Sequence, residues 1–329
     1  MKRKIITLIL TFILVLSLAA CGQRTENQEN TPANKTVKDA ETIKVTSLDT
    51  DRKEIELELK KNPQRIAVLD LATLDILHAL GLSDRVVGAT ATQIPYIQEV
   101  VSKEGVVNLG TLKAPDIEAI MEVEPDVIFM GGRAGEYYEQ LSQIAPTIRL
   151  TTYDDKGVVE STKINAEKIA SIFDLQDKVE ELFNGFASRI EALKAKASGK
   201  TAIVGIVTNG GFNVSGNDGR LSLVGRELGF ENIGVDSESE TVAHGNEASF
   251  EFIVQKNPDY LFVLDRDAAI ATEGAQLAKD IMENELVMST DAYKNGKLII
   301  VENPAVWYTA EGGLSALDIM LKDLENTIK

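Results

Sequence analysis

Arginine is the side chain whose placement first suggests chemistry in this sequence. Two stretches match at a constant offset, IEAIMEVEPDVIFMGGRAG (residues 117–135) and FEFIVQKNPDYLFVLDRDA (residues 250–268). In each, a glutamate (Glu118 or Glu251) precedes a Pro-Asp pair, the pair opens an apolar run, and an arginine (Arg133 or Arg266) follows that run. A guanidinium stays charged, and its rigid fork suits planar oxyanions, so two arginines brought to one place imply an anionic ligand. A third candidate, Arg220, stands at the end of the Gly/Asn-rich loop Asn209–Gly219 and enters the pattern of a following helix. That loop holds neither a P-loop nor a well-spaced dinucleotide fingerprint, which argues against a nucleotide site. Arg226, within the expected helix, and His78, within Leu71–Leu80, are expected to be structural. His244, in a polar loop before the second repeat unit, is either a surface hydrogen-bonding residue or part of a pocket. Trp307 and Tyr308, in WYTAEGG, either fill the core or wall a cleft.

The elements that must position these residues read as strand–helix alternation. Glu41–Leu59 alternates around Asp49-Thr50-Asp51, a β-hairpin pattern. Apolar β-rich runs follow at 65–69, 86–89, 126–130, 147–151, 202–207, 260–264 and 298–301, separated by helical patterns. Such alternation predicts α/β lobes with mostly parallel sheets. Residues 175–197 break the rhythm: Leu175, Val179, Leu182, Phe183, Phe186, Ile190 and Leu193 recur at the helical period. A helix of that length, roughly 34 Å, with one repeat unit on each side, predicts a rigid connection between two Rossmann-like lobes. Ligands of open α/β sheets bind beyond the carboxyl ends of the strands. Arg133 and Arg266 would therefore enter one cleft from opposite lobes. The expected organisation is a signal at 1–20, a tether at 21–40, an N-terminal lobe at 41–174, the connecting helix at 175–197 and a C-terminal lobe at 198–329.

The chain has 329 residues, 34 Lys+Arg, 51 Asp+Glu, two His and one Cys, for a formal charge of −17. The first twenty residues carry three bases and no acid, so the remainder stands at −20. An acidic body lacks the basic face of a nucleic-acid binder. One Cys excludes an internal disulfide or a Cys-rich metal centre, and two His are few for a bare-metal site. No serine-hydrolase elbow and no Cys nucleophile argue for an exported enzyme. Met1–Lys4 is basic, Ile5–Ala20 is apolar but short for a membrane span, and Leu18-Ala19-Ala20-Cys21 follows. This resembles the lipobox of bacterial lipoproteins, which implies lipidation of Cys21 (palmitate among the attached chains) and an extracellular, membrane-anchored body. Residues 22–40 contain almost no large apolar side chain and read as a flexible tether.

Lipobox, tether, two lobes and one connecting helix together resemble the substrate-binding lipoproteins of bacterial iron–siderophore ABC importers. The likeness is closest to the branch that takes ferric catecholates of the petrobactin or enterobactin type. It rests on Gly132-Arg133, Gly219-Arg220, His244-Gly245 and Asp265-Arg266-Asp267. The resemblance implies a cationic basket of Arg133, Arg220 and Arg266, with Tyr308 and His244 beside the chelated iron and Trp307 in the wall. It implies docking of the permease through Glu118 and Glu251, an ATPase behind that permease, a monomeric binding protein, small closure about a stiff helix and no resident cofactor. A hydroxamate siderophore, haem or cobalamin is the rival ligand on the same fold.

Overall fold

The chain at 41–60 folds on itself because Asp49 closes the turn: its Oδ1 accepts the N–H groups of Asp51 and Lys53, both at 2.9 Å. Strands β1 (Thr42–Leu48) and β2 (Glu54–Lys60) pair antiparallel, as the alternation predicts. The computed structural model describes residues 41–153, 155–235 and 246–329. The expected signal and tether, Cys21 and His244 lie outside the described residues.

The first lobe is a parallel sheet of five strands in the order β5-β4-β3-β6-β7. These are β3 (Ile66–Leu69), β4 (Val86–Ala89), β5 (Val107–Asn108), β6 (Val127–Met130) and β7 (Thr147–Arg149). Its β7 edge is closed by a side chain: Ser47 of the hairpin accepts from Arg149 N at 2.9 Å and donates to Thr147 O. The hydroxyl thereby occupies two backbone groups of this edge, as a neighbouring strand would.

The second lobe is a six-stranded mixed sheet, β11-β9-β8-β12-β13 with β10 also on β8. These are β8 (Thr201–Thr208), β9 (Gly211–Val214), β10 (Glu231–Asn232), β11 (Asn246–Glu247), β12 (Tyr260–Asp265) and β13 (Leu298–Ile300). β9 runs antiparallel to β8 with Phe212 and Val214 buried. The loop expected at 209–219 therefore contains a strand, because alternating apolar residues outweigh the flanking glycine and asparagines.

The repeat has a structural reason. In both units the helix ends on a left-handed residue, Glu124 (φ 40°) or Asn257 (φ 41°), and Pro-Asp turns the chain into the strand. Asp126 then accepts from Gln64 N and Arg65 N ahead of β3, and Asp259 accepts from Thr201 N at the start of β8. Each carboxylate ties its own strand to the neighbouring one, so the two lobes share one construction.

Each sheet has two apolar faces. Ile66, Val68, Val127 and Phe129 of the first sheet and Val204, Ile206, Tyr260 and Phe262 of the second join one core. The alternate residues, such as Leu69 and Met130 or Val207 and Val263, fill separate clusters under each lobe's own helices. The connecting helix spans Gln176–Ala197, 22 residues, roughly 33 Å at 1.5 Å per residue. Val179, Phe183, Phe186, Ile190 and Leu193 feed the shared core.

The final helix, Leu314–Thr327, packs against the first-lobe helix Leu71–Ala79 and the connecting helix as well as the short helix Pro304–Thr309 that precedes it. Gly313 offers no side-chain cap, and Asp75 supplies one from the other helix, accepting from Ser315 N at 2.8 Å and Ala316 N at 2.9 Å. A Cβ on Gly313 would lie 2.5 Å from that carboxyl carbon, so the close approach requires glycine. Arg189 of the connecting helix clamps the other end, donating to both carboxylate oxygens of Glu325 at 2.7 and 2.9 Å and also pairing with Asp318.

Candidate functional site

Tyr308 is the centre on which the three arginines converge. It lies on the short helix Pro304–Thr309. Arg133 donates from Nη2 to the Tyr308 carbonyl at 2.9 Å, and Arg266 donates from Nε to the phenolic oxygen at 3.0 Å. The guanidinium carbon of Arg220 stands 4.3 Å from the ring centroid, with those of Arg266 and Arg133 at 5.6 and 5.8 Å. A cation over an aromatic face contributes about 0.5–2 kcal/mol according to its desolvation.

Local structure explains each position. Arg133 leaves β6 on a 3₁₀ turn, where Gly131 lies so close to Asp70 that a Cβ would come within 2.4 Å of its carboxylate. Asp70 caps the helix that follows β3, accepting from Thr73 N at 2.9 Å. Arg266 stands between two acids in the sequence and pairs with the second. Asp265 caps its own short helix and also receives Ala278 N, while Asp267 receives Asn209 N at 2.7 Å and pairs with Arg266 at 3.2 Å. Arg220 is followed by Leu221 at φ 67°, a left-handed backbone on a fully buried leucine. A single π turn, Leu223–Glu227, stands where a longer helix was expected. Strained residues and π turns concentrate where a side chain must be aimed. Arg226, in that turn, donates to Asp155 O across the lobes, a structural role.

The electrostatics favour an anion. Burial, then the like charge of Arg220, hold the Arg133 guanidinium below its ordinary pKa. Gathering cations in a half-buried cleft is costly in the free protein, and an anionic ligand relieves that cost. Glu311 opposes them: its carboxylate lies 3.5 Å from Arg220, and burial raises its pKa to about 7.

Two cavities meet at Tyr308. One of about 490 Å³ is walled by Leu71, Ile94, Leu112 and Ile270 with Arg133 and Arg266. The other, about 300 Å³, is walled by Arg133 and Arg220 together with Asp70, Asn165 and Glu311. Among the described residues no group of His, Cys, Asp and Glu side chains could hold a metal ion by itself.

Trp307 is not at the cleft. It is fully buried, and its Nε1 donates to Asp323 at 2.9 Å, so of the Trp-Tyr pair the first residue is core and the second meets the arginines. His244 lies outside the described residues. His78 contacts Ser83 and Tyr96, away from the arginines. Glu118 and Glu251 are exposed in the first turns of their helices. Lys113 in the larger cavity and Glu311 beside Arg220 went unnoticed in the sequence. Neither belongs to a repeat or a periodic pattern that would single it out.

Comparison with known proteins agrees with this fold. The Peripla_BP_2 pattern, periplasmic binding protein, matches residues 66–305. The chain is 31% identical over 329 residues to the petrobactin-binding protein YclQ of Bacillus subtilis, covering 99% of each. The YclQ crystal structure superposes with a TM-score of 0.80 at 33% identity, over 88% of this chain and 99% of that one. The ferric-anguibactin-binding protein FatB of Vibrio anguillarum is 31% identical over 278 residues, 81% of this chain and 83% of its own. The periplasmic catecholate-siderophore binding protein VctP of Vibrio cholerae superposes with a TM-score of 0.78 at 28% identity, over 86% of this chain and all of that one.

Proposed function

Since this chain belongs to the periplasmic binding protein family, we propose that it captures a ferric catecholate siderophore in the interlobe cleft and delivers it to an ABC permease for iron uptake. It is a binding protein and not an enzyme, as its relatives are. The observation that carries the ligand class is the convergence of three guanidiniums on one tyrosine. A ferric tris-catecholate carries three excess negative charges, which three guanidiniums match. Its rings suit the apolar wall of the larger cavity, and guanidinium lies well over electron-rich catechols. Where a chelate leaves iron positions open, the Tyr308 phenol is a suitable donor, with His244 as its proposed companion.

Fluorescence titration tests this reading. Ferric catecholates should quench the emission of Trp307, which adjoins Tyr308 in the chain, at submicromolar concentration, and ferric hydroxamates only weakly. Equal quenching by both would remove the catecholate assignment.

The delivery step rests on Glu118 and Glu251. In each repeat the helix leads through Pro-Asp into a strand running back, so its first turn lies at the strand's carboxyl end, the cleft side. Glu118→Ala and Glu251→Ala are expected to reduce siderophore-dependent iron uptake by cells while leaving the affinity of the isolated protein unchanged. Normal uptake by the double variant would exclude these docking points. The anchor is proposed at Cys21; none of the described helices is long and apolar enough to cross a membrane. Cys21→Ala should shift the protein from the membrane fraction to the medium and abolish palmitate labelling, and retention of both would refute the anchor.

A further inference from the structure

The smaller cavity carries a chemistry that the arginines do not explain. Besides Arg133 and Arg220 its lining includes acceptors: Asp70, Asn165 and Glu311, with Thr73, Thr151 and Thr152. Two of these acceptors are buried with no donor among the described residues, Glu311 Oε1 and Asn165 Oδ1. Asn165 is 6% exposed, and its Nδ2 donates to Thr151 O at 2.9 Å, which fixes the amide and leaves Oδ1 as the unused end. Arg220 approaches only the other oxygen of Glu311, at 3.5 Å, too long for a strong pairing. Buried acceptors without donors are unfavourable and seldom left so, and here two of them flank one cavity beside a carboxylate. A group that relieves both donates more than one hydrogen bond, and one that also carries positive charge offsets the Glu311 carboxylate.

We propose that this cavity is a subsite for a protonated amine borne on the linker of the ferric chelate, recognised by Glu311 and Asn165 while the anionic iron head rests on the three arginines. The subsite rests on the proposed function and narrows it: the ligand is zwitterionic, with negative charge at the iron and a cation on the arm. An ammonium has N–H groups for both orphaned acceptors and offsets the Glu311 charge, which a hydroxyl or an amide does not do. Entry of the arm displaces the long Arg220–Glu311 contact and turns Arg220 toward the chelate head.

The probes are two ferric bis-catecholates that differ at one atom of the linker, a free secondary amine or its N-acetyl derivative, titrated into the full chain at pH 8. The amine chelate is expected to bind the wild type at least about ten-fold more tightly, the size of a charge-assisted hydrogen bond. Glu311→Gln should reduce that preference to less than about two-fold, and Asn165→Asp, which adds a second carboxylate, should widen it. Equal affinity of both chelates for the wild type overturns the subsite and leaves the catecholate reading standing. A preference that survives Glu311→Gln undiminished places the amine elsewhere and overturns it too. Failure of both chelates to bind removes the proposed function, and the subsite with it.

Discussion

Removal of the Arg133, Arg220 or Arg266 guanidinium is expected to weaken ferric catecholate binding by about 1–3 kcal/mol each, or roughly 5- to 150-fold in Kd. Isothermal titration of the three alanine variants measures this, and unchanged affinity in all three would dismiss the basket. The three losses should not be equal or additive. Arg133 and Arg266 are both tied to Tyr308 through hydrogen bonds, so losing either also loosens the residue proposed to face iron. Arg220 touches Tyr308 only through its ring face, and its removal strands the Glu311 carboxylate in a buried site. For that reason Arg220→Ala should cost stability as well as affinity, and Glu311→Gln in the same chain should restore part of the stability.

The second large effect concerns Asp75. Asp75→Ala is expected to destabilise the protein by about 2–4 kcal/mol, because it leaves the amides of Ser315 and Ala316 and the Tyr96 hydroxyl without their shared acceptor. Urea denaturation should show a lower midpoint, and a wild-type midpoint would mean that the last helix is held by packing alone. Burial raises the pKa of this carboxyl to about 6, and that of Glu311 to about 7. Both lie above the unfolded values, so between about pH 4 and 7 the folded state binds more protons, and stability falls as pH rises through that range. Each shift corresponds to an effect of order 3 kcal/mol. Wild-type protein should therefore resist urea better at pH 5 than at pH 8, and Glu311→Gln should flatten the difference. A profile that rises toward pH 8 would contradict the burial of both groups.

The lobes and the three arginines were legible in the sequence because they are expressed locally. The repeat places Arg133 and Arg266 at equivalent strand ends, and the Pro-Asp carboxylates that enforce it act on the immediately neighbouring strand. The connecting helix was legible from its period, and its ends agree with the expected 175–197 to within one residue. What escaped is long-range. No pattern near Asp75 announces that it caps a helix 240 residues on, and none near Glu311 announces a carboxylate inside the cleft. Trp307 and Tyr308 are neighbours in sequence with opposite fates, because one short helix turns the indole toward Asp323 and the phenol toward the arginines. β9 was hidden by composition, since glycine and asparagine suggested a loop around the buried Phe212.

The last helix has a consequence for how the protein is made. The first lobe is complete only when Leu314–Thr327 lies against the helix Leu71–Ala79, so residues translated early must wait for residues translated late. While the chain is still emerging, Asp75 has no amides to cap, and the apolar face beneath it has no cover. The Asp75 cap can therefore form only late in synthesis, after all the residues between the two helices have been made.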